Sequence, residues 1–203
     1  MSRRDDLSFW QSLHEEFVFI PVEGNPAPPP TVAELDRFEA EFKFRLPASY
    51  REFIQVFGTG DLLFGGTDVS ILGPYTRNND YNIKNENLFL DPEIMRNEGE
   101  EGLYPVRWER SFHFANSSLG DHFQFDPKVV TDADNSEYEI IALIRGDEDV
   151  TPLARTFREF IELFLDTKKF HEKIRLAFDP ENFDPERLEE AKTPRFISAT
   201  ISE

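Results

Sequence analysis

The chain has 203 residues, 40 of them acidic and 22 basic, for a net charge of −18; that length suits one domain with extensions and a real hydrophobic core. Such acidity argues against nucleic acid as a ligand, because phosphates must be met by Lys and Arg, and it favours fast association with a basic partner. Cys is absent, which excludes disulfides, thiol nucleophiles and thiolate metal sites and fits a cytoplasmic protein.

The N-terminal MSRRDDLSFW has charges but no apolar stretch behind it, so no secretory signal is expected. No apolar run in the chain approaches the ~18 residues of a membrane span. Asp5 to Leu13 predicts a short helix with Leu7, Trp10 and Leu13 on one side, and Phe17 to Ile20 a short strand or core contact. Pro21 to Pro30 holds five prolines in ten residues and reads as a stiff, extended spacer. Residues 1–30 are therefore expected to form an arm and linker attached to a domain of residues 31–178.

That domain opens with the densest local signals in the chain. Thr31 and Glu34 have capping-box spacing, and Val32, Leu35, Phe38 and Phe42 give the following helix one apolar face. Leu46-Pro47 breaks it, since Pro disfavours helical geometry in the residue before it, and Pro47 can open a second helix. Tyr50, Phe53, Ile54 and Phe57 make that helix's apolar stripe, and Gly58 stops it as a left-handed cap. Gly60-Asp61 then turns the chain into the strand Leu62-Leu63-Phe64, and Asp68 to Leu72 predicts a second strand.

Residues 75–110 show little periodicity and are expected to form a long, partly helical excursion packed by Leu88, Phe89, Leu90 and Ile94. Phe112 to Asp126 is the clearest hairpin, with Phe112, Phe114, Phe123 and Phe125 alternating with His113, His122 and Gln124. Tyr138 to Ile144 is apolar enough for a central strand. Thr156 and Glu159 suggest another capping box, opening a helix whose face is Phe157, Phe160, Ile161, Phe164 and Leu165, with a break near Asp166-Thr167. From Asp179 the tail holds seven acidic and three basic residues and is expected to wrap the surface or fray. There is no internal repeat. Helices flanking a mostly antiparallel sheet make the fold class α+β, as a single domain.

The acidic helix, then Leu46, Pro47, Tyr50 and Phe53, then Gly58, Gly60 and Asp61, resemble the signature of the SUKH superfamily. Phe114-Ala115 with Gly120-Asp121 resemble its central hairpin, and Thr156 to Leu165 its closing helix. One departure is Gly58-Thr59-Gly60, where many members carry Asn-Gly-Gly. The resemblance covers roughly residues 31–166. It implies a SUKH-like fold and a non-enzymatic binding module. In the bacterial branch that means a cytoplasmic immunity protein neutralising a cognate toxin, often a nuclease. In the fungal branch it means a scaffold of the Smi/Knr type that binds signalling or cell-wall synthesis proteins.

Candidate chemistry is sparse. Gly60, Gly65, Gly66 and Thr67 have some P-loop spacing, but a P-loop needs Lys where Gly66 stands and a helix where a strand follows. His113 and His122 share the face opposite the hairpin's Phe residues, beside Asp121; zinc is conceivable there, but two solvent-facing polar residues are the commoner outcome of strand alternation. His14 and His171 have no identifiable partner, and no nucleophile-elbow pattern supports a Ser-His-Asp triad. No catalytic set, cofactor or metal ligand is expected. Thr131 to Asp149 holds seven acidic residues and one Arg, and Asp91 to Glu101 holds five acidic residues and one Arg. Asp132, Asp134, Glu137, Glu139, Asp147, Glu148 and Asp149 flank a central strand and are the candidate set for contacting a basic toxin domain.

Overall fold

The structure, a computed structural model, describes residues 3–21, 25–74, 82–84, 87, 106–134, 136–145, 147, 149–174 and 191–201. Its frame begins where Leu46-Pro47 divides helix α2 (Val32–Phe42) from helix α3 (Ala48–Val56). The Thr31 capping box is complete: the Thr31 hydroxyl accepts from the Glu34 N–H, and the Glu34 carboxylate accepts from the Thr31 N–H at 2.8 Å. Leu35 and Phe38 of α2 and Tyr50, Phe53 and Ile54 of α3 are buried, as their spacing requires. Gly58 follows α3 at φ 76°, the left-handed geometry that ends a helix.

Strands β3 (Gly60–Phe64) and β4 (Thr67–Ile71) pair antiparallel through the two-residue turn Gly65-Gly66. Gly60 is fixed by packing as well as by its φ of 154°. A Cβ there would lie 2.0 Å from the Ile197 carbonyl oxygen of a neighbouring strand. The chain then passes helix α4 (Val106–Glu109) into strands β5 (Phe112–Ser117), β6 (His122–Val130), β7 (Tyr138–Leu143) and β8 (Thr151–Ala154). Helices α5 (Phe157–Leu165) and α6 (Thr167–Lys173) follow. At the N-terminal end lie helix α1 (Arg3–Glu16) and strands β1 (Val18–Phe19) and β2 (Asn25–Pro26); at the C-terminal end lie β9 (Arg195–Ser198) and β10 (Thr200–Ile201).

Eight strands form one sheet in the order β1-β9-β3-β4-β5-β6-β7-β8, antiparallel except for the β1–β9 pair; β2 and β10 form a separate antiparallel pair. The fold is thus α+β, as expected. Alternation along the strands gives the sheet two different faces. One face is aromatic: Phe114, Phe123 and Phe125 meet Tyr50, Phe157, Phe160 and Phe170 from the helices, all of them buried. The Tyr50 hydroxyl donates to the Leu72 carbonyl, and burial pushes its pKa up. The other face is polar, with His113 opposite Gln124 and Asp126 opposite Glu139. Helix α4 lays Trp108 on the two hairpin histidines and binds Asp126 and Glu139 through Arg107.

Several expectations need correction. The N-terminal segment is part of the core: Trp10 is fully buried, 5.4 Å from Phe53 in an edge-to-face contact, and Leu13 and Phe17 join the same cluster. The C-terminal segment supplies β9, which lies between β1 and β3 with Phe196 buried. The Pro-rich stretch is tied down where Asn25 and Pro26 pair with β10. The helix and strand expected near Asp5 to Leu13 and Phe17 to Ile20 are present as α1 and β1, but only the tertiary partner reveals them and the C-terminal strand as core. Strand β8 was unexpected too, being short and carrying Pro152, which is tolerated at a sheet edge. The capping box at Thr156 is half formed: Thr156 accepts from the Glu159 N–H at 3.0 Å, but the Glu159 carboxylate turns to the Arg155 N–H. His171 is buried, and its Nε2 hydrogen-bonds Thr67 Oγ1 at 2.8 Å; His14 packs its ring on Phe19. Leu88, Phe89, Leu90 and Ile94 lie outside the described residues.

Candidate functional site

The first N–H groups of a helix need acceptors, and Pro47, which precedes α3, has no side chain to offer them. The missing cap comes from far along the chain. The Glu137 carboxylate accepts from Ser49 N at 2.7 Å and from Ser49 Oγ at 2.8 Å, while Ala48 N donates to the Ser136 carbonyl at 2.8 Å. The backbone N–H of Phe157, the first residue of α5, also favours the charged form of Glu137. One distant carboxylate therefore closes the N-terminus of α3, which carries a partial positive charge. Burial pushes the Glu137 pKa up and the nearby Asp132 charge adds to this, against the hydrogen bonds from Ser49 and the influence of the Phe157 N–H.

The loop from Thr131 to Glu137 is held by its own Asp132. That carboxylate accepts from Ser136 N at 2.8 Å, Ser136 Oγ at 2.6 Å and Glu137 N at 2.9 Å. Burial tends to raise its pKa, but the hydrogen bonds prevail and hold it below the usual carboxylate range. Arg155, just before α5, accepts from the Thr131 hydroxyl and donates to the Thr131 carbonyl. The loop is thus fastened to both helices.

Between the loop and the two helix N-termini lies a groove of about 770 Å³. Its wall carries the carboxylates of Glu52, Asp132, Asp134, Glu137, Glu159 and Glu162 against the guanidinium groups of Arg45 and Arg158. Arg158 is already engaged, bonded to Glu162 at 2.9 Å and lying 3.8 Å over the Phe9 ring. A second depression of about 440 Å³ lies on the other side of α3, where Arg51 binds Asp36 at 2.7 Å and Glu39 at 2.8 Å. The groove's acidic side chains outnumber its guanidinium groups six to two, with Arg158 paired to Glu162 and Asp134 exposed at the rim.

The structure divides the seven acidic candidates. Asp132, Asp134 and Glu137 meet at this groove, with Asp134 exposed, Asp132 half-buried and Glu137 buried. Glu139 points to the opposite face of the sheet, where it pairs with Arg107. Asp147 and Asp149 lie beyond the other end of β7, with Asp149 exposed; Glu148 is outside the described residues, as is the run Asp91 to Glu101. Sequence reading missed Glu52, Glu159 and Glu162. Their signal was the polar side of two amphipathic helices, which is ordinarily just solvated.

The hairpin histidines are not solvent-facing. His113 is fully buried, with its ring 5.2 Å from that of His122, and its Nε2 hydrogen-bonds the Ala115 carbonyl at 2.8 Å. Burial, helped by His122, pushes its pKa down to about 3. His122 Nδ1 pairs with Asn116 Oδ1 at 2.7 Å, and burial lowers its pKa too. Asp121 turns to Ser117 Oγ and to the Arg145 N–H at 3.0 Å, tying the hairpin turn to the end of β7. Among the described residues no group of three or more His, Asp or Glu side chains could hold a metal ion. Among them, too, no helix is long and apolar enough to cross a membrane.

The family model for SMI1 / KNR4 (SUKH-1) matches residues 29–163, from just before α2 to within α5. No curated protein matches the chain.

Proposed function

The chain belongs to the SMI1 / KNR4 family (SUKH-1), and from that premise we propose that it is a non-enzymatic binding module of the immunity type. In this reading it acts in the cytoplasm, where it binds and neutralises a cognate basic toxin domain. The family suggests protein–protein interaction. The observation that carries the finer reading is the groove beside α3 and α5, with six carboxylates facing two guanidinium groups on a hydrogen-bonded frame. A rigid acidic recess complements the Lys and Arg that line a nuclease cleft, steering encounter and covering the cleft.

The test is co-expression with the product of an adjacent toxin-like gene, reading growth and complex formation. Wild type is expected to protect. Reversal at the groove rim by Asp134→Lys with Glu162→Lys should weaken protection and binding, whereas Asp149→Lys, at the other end of β7, should do so much less. Equal losses from both sets would move the interface away from the groove. Failure to protect against any neighbouring toxin would favour the second branch, a regulatory scaffold of the Smi/Knr type.

A further inference from the structure

Proline fixes its own φ near −65° and holds the residue before it in extended geometry. Ala27, Pro28 and Pro29 are each followed by proline, so the stretch is driven into the polyproline II helix, with three residues per turn. Burial follows that period. Ala27 and Pro30, three apart, are half-buried and form the inward edge; Pro26 with Pro29, and Pro28 with Thr31, are exposed and form two outward edges. Both ends are pinned. Pro26 pairs with Thr200 of β10 and the Ala27 N–H donates to the Ala199 carbonyl at 2.7 Å, while Thr31 is held in the capping box of α2. Between them Pro29 lies against Gly58, where an added Cβ would stand 3.7 Å from its Cα and Cγ atoms. We propose that Pro26 to Thr31 is a docking site for a protein domain that grips polyproline II in an aromatic-lined groove. It stands apart from the acidic groove beside α3 and α5 and does not depend on the partner proposed there.

The backbone selects this occupant. Pro28, Pro29 and Pro30 have no N–H, so the segment cannot take part in a strand ladder with a partner. What it offers is proline rings and carbonyl oxygens. Aromatic side chains receive the rings in the slots between them, and indole N–H or phenol O–H groups donate to the carbonyls. Pro26 and Pro29 have the Pro-x-x-Pro spacing that such grooves read, about 9 Å along the helix axis at ~3.1 Å per residue. Charge removes the competing occupants. From Asn25 to Ala33 no residue is charged, in a chain where 31% are, so this surface has nothing for a basic cleft, an anionic membrane or a phosphate. Val32, 54% exposed, prolongs the uncharged surface beyond Thr31. The segment is also ordered before a partner arrives, which removes much of the entropy cost of binding an extended chain.

One SH3, one WW and one EVH1 domain, each purified and unlabelled, are titrated into the full 15N-labelled chain and followed by amide NMR. At least one should shift the amides of Ala27, Thr31, Val32 and Ala33 at sub-millimolar concentration and leave those of Asp134 and Glu162 in place. Its affinity should agree within about twofold between low and physiological salt, because the surface is uncharged. Pro28→Ala removes an exposed ring from an outward edge and should weaken binding at least about fivefold, with little change in melting temperature. Asp134→Lys with Glu162→Lys should leave the affinity as it is. No footprint from any of the three domains at millimolar concentration would overturn the proposal, as would a footprint centred away from residues 26–33. Binding that survives Pro28→Ala, or that falls steeply with salt, would overturn it too. Protection against a toxin should be the same in Pro28→Ala and wild type, so the immunity reading stands or falls separately.

Discussion

Glu137 shows how much one side chain can organise. It looks like one more carboxylate in an acidic run, but it caps the N-terminus of α3 by accepting from Ser49 N and Oγ. Glu137→Ala leaves buried donors unmet, and each unmet group costs about 1–3 kcal/mol; loss of cooperative stability by urea unfolding is the expected result. Glu137→Gln keeps an acceptor and should cost far less. The pH dependence has a definite sign. A carboxyl with a raised folded pKa contributes stability that is fully present below its unfolded value and is lost as pH rises through the folded one. Wild type should therefore lose stability relative to Glu137→Gln as pH rises above the ordinary glutamate range. A difference that does not vary with pH across that range would contradict the raised pKa. No local pattern announces this role, because Ser49 lies 88 positions away in the chain.

At the scale of elements, legibility followed locality. Helices α2, α3 and α5, the β5–β6 hairpin and strand β7 each carry their own caps, breakers or periodicity, and each stands where its signals put it. Strands β8 and β9 are short and weakly patterned, while α1 and β1 stand where a helix and a strand were expected but owe their place in the core to their partners. Trp10 is the clearest case, packed against Phe9, Phe53 and Phe157. Trp10→Ala should cost about 3–5 kcal/mol, and deletion of residues 1–20 should remove the cooperative melting transition. A truncated chain that melts like the full one would show that α1 and β1 are dispensable. The candidate site was half legible for the same reason: the acidic loop at Asp132 and Asp134 is a composition signal, whereas the α3 and α5 walls that turn it into a groove are tertiary.

At the scale of the molecule, the termini close the fold, since β9 enters the sheet between β1 and β3 and β10 pairs with β2. The closed fold carries a net charge of −18, so a basic partner is attracted before it touches. In the proposed function this attraction is focused at the groove beside α3 and α5. It is tested most directly by the association rate constant with the toxin domain against which the chain protects, measured as salt shrinks the Debye length from ~30 Å at 0.01 M to ~8 Å at 0.15 M. The wild-type rate should fall steeply over that range. Asp134→Lys with Glu162→Lys should both lower the rate and flatten its salt dependence, with little change in melting temperature because exposed charges add little to folding. A rate that ignores salt, or a double reversal that associates like wild type, would contradict the account.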